Sequence, residues 1–159
     1  MSFPLCVCLF SAALLSASYL RHPCVLHGRL LVFFVVASGL YLGHYIFYVH
    51  ARELIPLTDT LYNFCNPAVY PLYYLYLMEL TEPRPLLRRH WLWLLPAAVC
   101  MGVVGVLYGL MSGEETAAFV DGFLYRNCWD DLTKLALWQA WAHMLTRLVF
   151  LGELPLITW

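Results

Sequence analysis

Apolar positions fall into long runs along the chain, at residues 3–20, 30–49, 57–80 and 91–111, with a weaker run at 132–151. The first four approach or exceed the roughly 20 residues a helix needs to cross a bilayer. The fifth carries Lys134, His143 and Arg147, yet Leu135, Trp138, Ala142, Leu145 and Val149 recur at spacings of three and four, which gives one apolar face. It is a bundle-facing span or an interfacial helix. Between 67 and 80 only Glu79 is charged; then Arg84, Arg88, Arg89 and His90 cluster beside Pro83 and Pro85, and apolar character resumes at Trp91. The stretch from 66 to 96 therefore predicts two helices joined by a short basic loop. The pattern as a whole predicts an all-α polytopic transmembrane helical bundle of four to five spans, a single domain over 1–159.

Composition agrees. Hydrophobic residues make up 62% and charged residues 12%, against roughly a quarter charged in a soluble domain, and the mean hydropathy is +0.70. A net charge of -1 argues against nucleic-acid binding and against polybasic lipid binding. The six cysteines contain no CxxC, so neither a zinc site nor a disulfide-rich scaffold is indicated.

Charge then orients the spans. The first connection holds Arg21 and Arg29 and the third holds Arg84, Arg88 and Arg89, five of the nine Lys and Arg residues. By the positive-inside rule these loops are cytoplasmic. The second connection has only Arg52, and residues 112–131 set Glu114, Glu115, Asp121, Asp130 and Asp131 against Arg126. The N-terminus is thus expected outside and the end of a fifth span inside. A cleaved signal peptide over 1–18, with Ser16 and Ser18 near the cut, is the rival account; no basic residue precedes its apolar run.

Small residues at helical spacing, Gly39 and Gly43 in the second span and Ala98, Gly102, Gly105 and Gly109 in the fourth, predict close helix packing, or a homodimer contact. In the third span Asn63, Asn66, Tyr70, Tyr73 and Leu77 share a face, with Pro67, Pro71 and Tyr74 beside it. Neither proline can donate a backbone hydrogen bond, so the carbonyls of Asn63 and Pro67 are released and a kink is expected. Tyr41, His44, Tyr45 and Tyr48 form a face on the second span. If the two faces meet, they line a small-molecule pocket in the outer half of the bundle. The alternative is that the tyrosines anchor the membrane interface and the asparagines tie helices together.

Other chemistry is poorly supported. His22, Cys24 and His27 lie in a juxtamembrane turn beside Arg21 and Arg29, a poor metal site. His44, His50, His90 and His143 lack a spacing that presents two of them to one haem. GxSxG, HExxH and paired intramembrane aspartates are absent, and no charged residue is expected at mid-membrane in the first four spans; Glu79 sits at the inner boundary, within reach of Arg88 or Arg89. No enzyme activity, cofactor or metal is predicted. Cys65 and Cys128 would either form a disulfide in an oxidising compartment or remain two thiols.

The segment Pro71, Leu72, Tyr73, Tyr74, Leu75, Tyr76, Leu80 and Thr81, followed by the basic loop and His90, Leu95 and Pro96, resembles part of the N-terminal membrane domain of AraC-type transcriptional regulators common in Bacteroidetes. The likeness covers about 30 residues closely and is one of topology elsewhere. It implies a sensory input domain in the bacterial inner membrane, followed inside the cell by two helix-turn-helix units. The sequence as given has no basic recognition helix, so this chain itself binds no nucleic acid by that route. A fragment, a frameshifted product or a free-standing membrane module is expected. The expected partners are the lipid bilayer, a small ligand and a second copy. A small transporter or accessory membrane subunit is the alternative, to which an interrupted third helix is also suited.

Overall fold

In the computed structural model, which describes residues 2–49, 51–81, 88–130 and 132–157, the apolar runs become helices. Long helices α1 (Ser2–Arg21), α2 (Val25–Val49), α3 (Ile55–Thr81), α4 (Leu95–Leu110) and α6 (Lys134–Ile157) form the bundle, and a short α5 (Gly113–Phe119) closes one end. The described residues contain no strand. The helix α3 is central: it packs on α2, α4 and α6, while α1 lies outside against α2. The helices α2 and α6 both pack on α3 and scarcely on each other.

Three segments, Phe3–Arg21, Val25–Val49 and Trp91–Leu110, are long and apolar enough to cross a membrane. The polarity of the remaining two long helices is turned inward. Asn63, Gln139, His143, Thr146 and Glu153 are buried, whereas Phe3, Phe10, Leu20, Val106, Leu110 and Leu148 are exposed. A soluble core has the opposite bias. Buried polar side chains set in a largely apolar core, beneath an exposed apolar surface, are expected where lipid is the solvent.

Pro67 and Pro71 both lie inside the continuous helix α3, on its buried side. The glycine stripe divides by environment. A methyl on Gly39 would meet Cys65 Sγ at 2.8 Å and one on Gly43 would meet Tyr62 Cβ at 3.3 Å, so these two let α2 lie against α3. Gly105 approaches Thr60, at 3.2 Å, but Gly102 and Gly109 have nothing within 4 Å. The expectation that those two pack helices within the chain is therefore corrected.

Residues 112–130, from the stretch 112–131 expected to form an acidic outer loop, fold back on the bundle. Ser112 caps α5: its hydroxyl accepts from the Glu115 amide at 3.2 Å, and its own amide donates to Glu115 Oε2 at 3.0 Å. The chain continues as a π-helical segment, Val120–Tyr125. Phe119, Val120 and Phe123 bury against Ile55, Met111, Ala136 and Ala140. The segment ends at Asn127, whose φ of 52° is a left-handed conformation that asparagine tolerates. The Cys128 amide reaches back to the Gly122 carbonyl at 3.0 Å, one residue further than in a Schellman stop, which matches the wider π-helical turn it closes.

At the opposite end Arg29 Nε donates to Glu79 Oε2 at 2.8 Å, with both side chains mostly buried. The Arg29 guanidinium also lies 5.1 Å from the Trp91 ring centroid, a cation–π distance. Glu79 is thus neutralised by Arg29 of α2, where the sequence suggested Arg88 or Arg89. This clamp ties the start of α2 and the end of α3 to the 3-10 segment Arg88–Leu94. Arg84 and the side chains of Arg88 and Arg89 lie outside the described residues.

Candidate functional site

Asp59, Asn63 and Asn66 follow helical spacing near the start of α3, and Gln139, His143 and Arg147 do so on α6, so each set shares one face. Where the helices meet, Asp59 Oδ2 accepts from Tyr108 of α4 at 2.7 Å and from His143 Nε2 at 2.8 Å. Asp59 Oδ1 accepts from Asn63 Nδ2 at 3.2 Å, and the same amide donates to the Asp59 carbonyl at 2.8 Å. Three side chains converge on one carboxylate.

The other imidazole nitrogen, His143 Nδ1, faces the Gln139 carbonyl at 2.9 Å. A carbonyl only accepts, so Nδ1 carries a proton, and one further proton is shared between Nε2 and Asp59 Oδ2 across the 2.8 Å contact. Asn63 Nδ2 lies 3.3 Å from the same Nε2. The side chains of His143 and Asp59 are only 7% and 12% exposed. Phe119 and Phe123 pack on the imidazole, 5.6 and 6.0 Å between ring centroids, one tilted and the other in a T-shaped arrangement. The folded-back segment is thereby part of the site through Phe119 and Phe123. Gln139 is fully buried; its Nε2 reaches the Val104 carbonyl at 3.5 Å, and its Oε1 has no partner among the described residues.

Beside this cluster is a cleft of about 290 Å³. Its walls are Gly43, His44 and Phe47 of α2 and His143, Thr146 and Arg147 of α6, its floor is α3 from Ile55 to Asn66, and Leu124 lies at its end. The cleft is partly open, and the two helices that wall it, α2 and α6, scarcely touch. His44 Nδ1 donates to the Leu40 carbonyl at 3.1 Å, which leaves Nε2 as an acceptor. The His44 ring stands edge-on to Tyr62, 5.0 Å between centroids.

Of the residues expected to bind ligand, His44, Asn63 and Asn66 line the cleft. Tyr41, Tyr48 and Tyr73 are exposed on the outside of the bundle, and Tyr70 packs on Phe150, 5.0 Å between ring centroids. These four tyrosines do not contribute to it. Asp59, Tyr62, His143, Thr146 and Arg147 do, and the sequence reading missed them. One signal was present: the polar stripe of Asn63 and Asn66 extends a turn earlier to Asp59, and Gln139, His143 and Arg147 repeat every four residues.

Cys65 and Cys128 are both free thiols, contrary to the disulfide considered from sequence. Cys65 is buried facing Gly39, while Cys128 Sγ points to Asp130 Oδ2 at 3.7 Å. Among the described residues no group of three or more His, Cys, Asp and Glu is placed to hold a metal. No family model, curated protein or solved structure matches the chain.

Proposed function

We propose that this chain is a membrane-embedded sensory input module, with α3 and α6 crossing the bilayer beside the three apolar spans and the N-terminus outside. The observation that carries the reading is the part-open cleft between α2 and α6 backed by the buried Asp59–His143 pair. Ionisable residues inside a membrane bundle are costly and are retained where function requires them. At 27 residues, α3 is about 40 Å long at 1.5 Å per residue. It runs from Asp59 at the cleft to Glu79 in the Arg29 clamp. A ligand that prefers one packing of α3 against α2 and α6 shifts the clamp and the Arg88–Leu94 segment, by no more than its difference in affinity for the two packings.

The resemblance of 71–96 to the membrane domain of AraC-type regulators supports an output inside the bacterial cell. Reading the encoding DNA in frame past the Trp159 codon tests this: a basic double helix-turn-helix is expected, since that module supplies the groove-reading helices. With such an output, Asp59→Asn in the full-length protein changes transcription from its target promoter. An immediate stop codon removes the regulator reading.

One observation favours a second reading, a small proton-coupled transporter or accessory membrane subunit. The Asp59–His143 pair has the composition of an intramembrane proton relay. Vesicles holding only this chain, loaded with a pH dye, separate the two: proton-coupled solute uptake that Asp59→Asn abolishes makes it a transporter.

A further inference from the structure

Arg147 is the unbalanced charge of the cleft. Asp59 and His143 neutralise one another at 2.8 Å, whereas the Arg147 guanidinium reaches only Met144 Sδ, at 4.0 Å. Among the described residues no carboxylate forms an ion pair with it. It stands thirteen residues into α6, roughly 20 Å along the helix axis, in a bilayer whose hydrocarbon core is about 30 Å thick. An unpaired guanidinium at that depth is expensive, and this one, on an exposed residue, lines the cleft. Polar groups line the same cleft: Asn66, Thr146, whose hydroxyl donates to the Ala142 carbonyl, and His44, whose Nε2 is left as an acceptor.

We propose that the cleft binds a membrane-dissolved amphiphile with a single negative charge, a carboxylate of the fatty-acid type, whose head pairs with Arg147. The single charge follows from the residues present. One cation is left over, and a dianion such as a phosphate monoester would set its second charge near the Asp59 carboxylate. A planar carboxylate also accepts two parallel N–H bonds from a guanidinium. The partly open cleft admits a ligand from the bilayer, and the apolar walls, Phe47 and Leu124, suit the first carbons of a chain. Asn66 and Thr146 line the same space as the head group. This inference rests on the cleft being the module's ligand site.

The test is equilibrium binding of radiolabelled decanoate to the full chain in nanodiscs of zwitterionic lipid, with empty nanodiscs subtracted, at a pH where the carboxylate is ionised. Saturable binding is expected, with decanol at least tenfold weaker. Arg147→Gln lowers decanoate affinity at least tenfold, Arg147→Lys retains part of it, and Lys134→Gln, which removes an exposed cation of the same helix away from the cleft, leaves it unchanged. Equal binding of decanol, or an equal loss in Lys134→Gln, overturns the proposal, as does a lack of saturable decanoate binding. Hydrogen exchange in the same samples separates this inference from the function proposed above. Decanoate that binds through Arg147 without altering exchange at Arg88–Leu94 upholds the site and removes the input reading. Absent decanoate binding, with Asp59→Asn still altering exchange there, does the reverse.

Discussion

His143 Nε2 stands 2.8 Å from Asp59 Oδ2 across the α3–α6 interface, between residues 84 apart in sequence. The contact fixes the register of α6 on α3, because Asn63 and Tyr108 hold the carboxylate from other directions. Removing one member leaves the other buried and uncompensated, so Asp59→Ala and His143→Ala are each expected to destabilise the bundle by about 3–5 kcal/mol. The double variant loses less than the two single losses combined. Reversible denaturant unfolding in micelles, run as a double-mutant cycle, measures the coupling, and simple additivity would show that the two groups do not interact.

That pair also marks where the sequence ceased to be readable. The apolar runs were legible because lipid demands long stretches of one character, and the Asn63–Asn66 stripe because helical spacing displays it. His143 could not be assigned a partner, since nothing local connects α6 to Asp59. The tyrosines misled for a physical reason: an aromatic face on a membrane helix suits the lipid interface as well as a pocket, and Tyr41, Tyr48 and Tyr73 are on the outside. The acidic residues of 112–131 concealed the cap, because Phe119, Val120 and Phe123 are too short an apolar set to stand out. Their burial depends on Ile55 and Ala140, from other helices.

Gly39 and Gly102 are expected to respond oppositely to alanine. At Gly39 the new methyl would meet Cys65 Sγ at 2.8 Å, and such overpacking costs about 1–3 kcal/mol. At Gly102 nothing lies within 4 Å, and replacing a helical glycine gains up to about 1 kcal/mol. Unfolding midpoints of the two variants measure the contrast. Adding Cys65→Ala to Gly39→Ala should recover most of the loss; no recovery would place the strain elsewhere.

The α5 cap should loosen in acid. The Ser112 backbone amide and then the Thr133 hydroxyl hold the Glu115 carboxyl below its ordinary range. The folded value lies below the unfolded one, so the cap's contribution is complete above the ordinary carboxyl range, about 4.3, and is lost as pH falls through the folded value. Hydrogen exchange at the α5 amides is expected to quicken over that interval. In Glu115→Gln the pH dependence disappears, and an unchanged profile in that variant would assign the effect to another group.

The cysteines report the orientation on which the proposed function depends. Cys24 lies exposed between α1 and α2, and Cys128 is half-buried just past the π-helical segment, at the opposite end of the bundle. With the N-terminus outside, a membrane-impermeant maleimide added to intact cells labels a variant keeping only Cys128, while one keeping only Cys24 reacts after permeabilisation. Cys65 and Cys100 are buried and should react only on unfolding, which provides a check that the fold is intact. The opposite pattern has a definite consequence. It would put the Arg29–Glu79 clamp and the Arg88–Leu94 segment outside the cell, where no DNA-binding output could follow them, and would leave the Arg147 cleft facing the inner half of the bilayer. The binding site would survive that result, and the regulator reading would not.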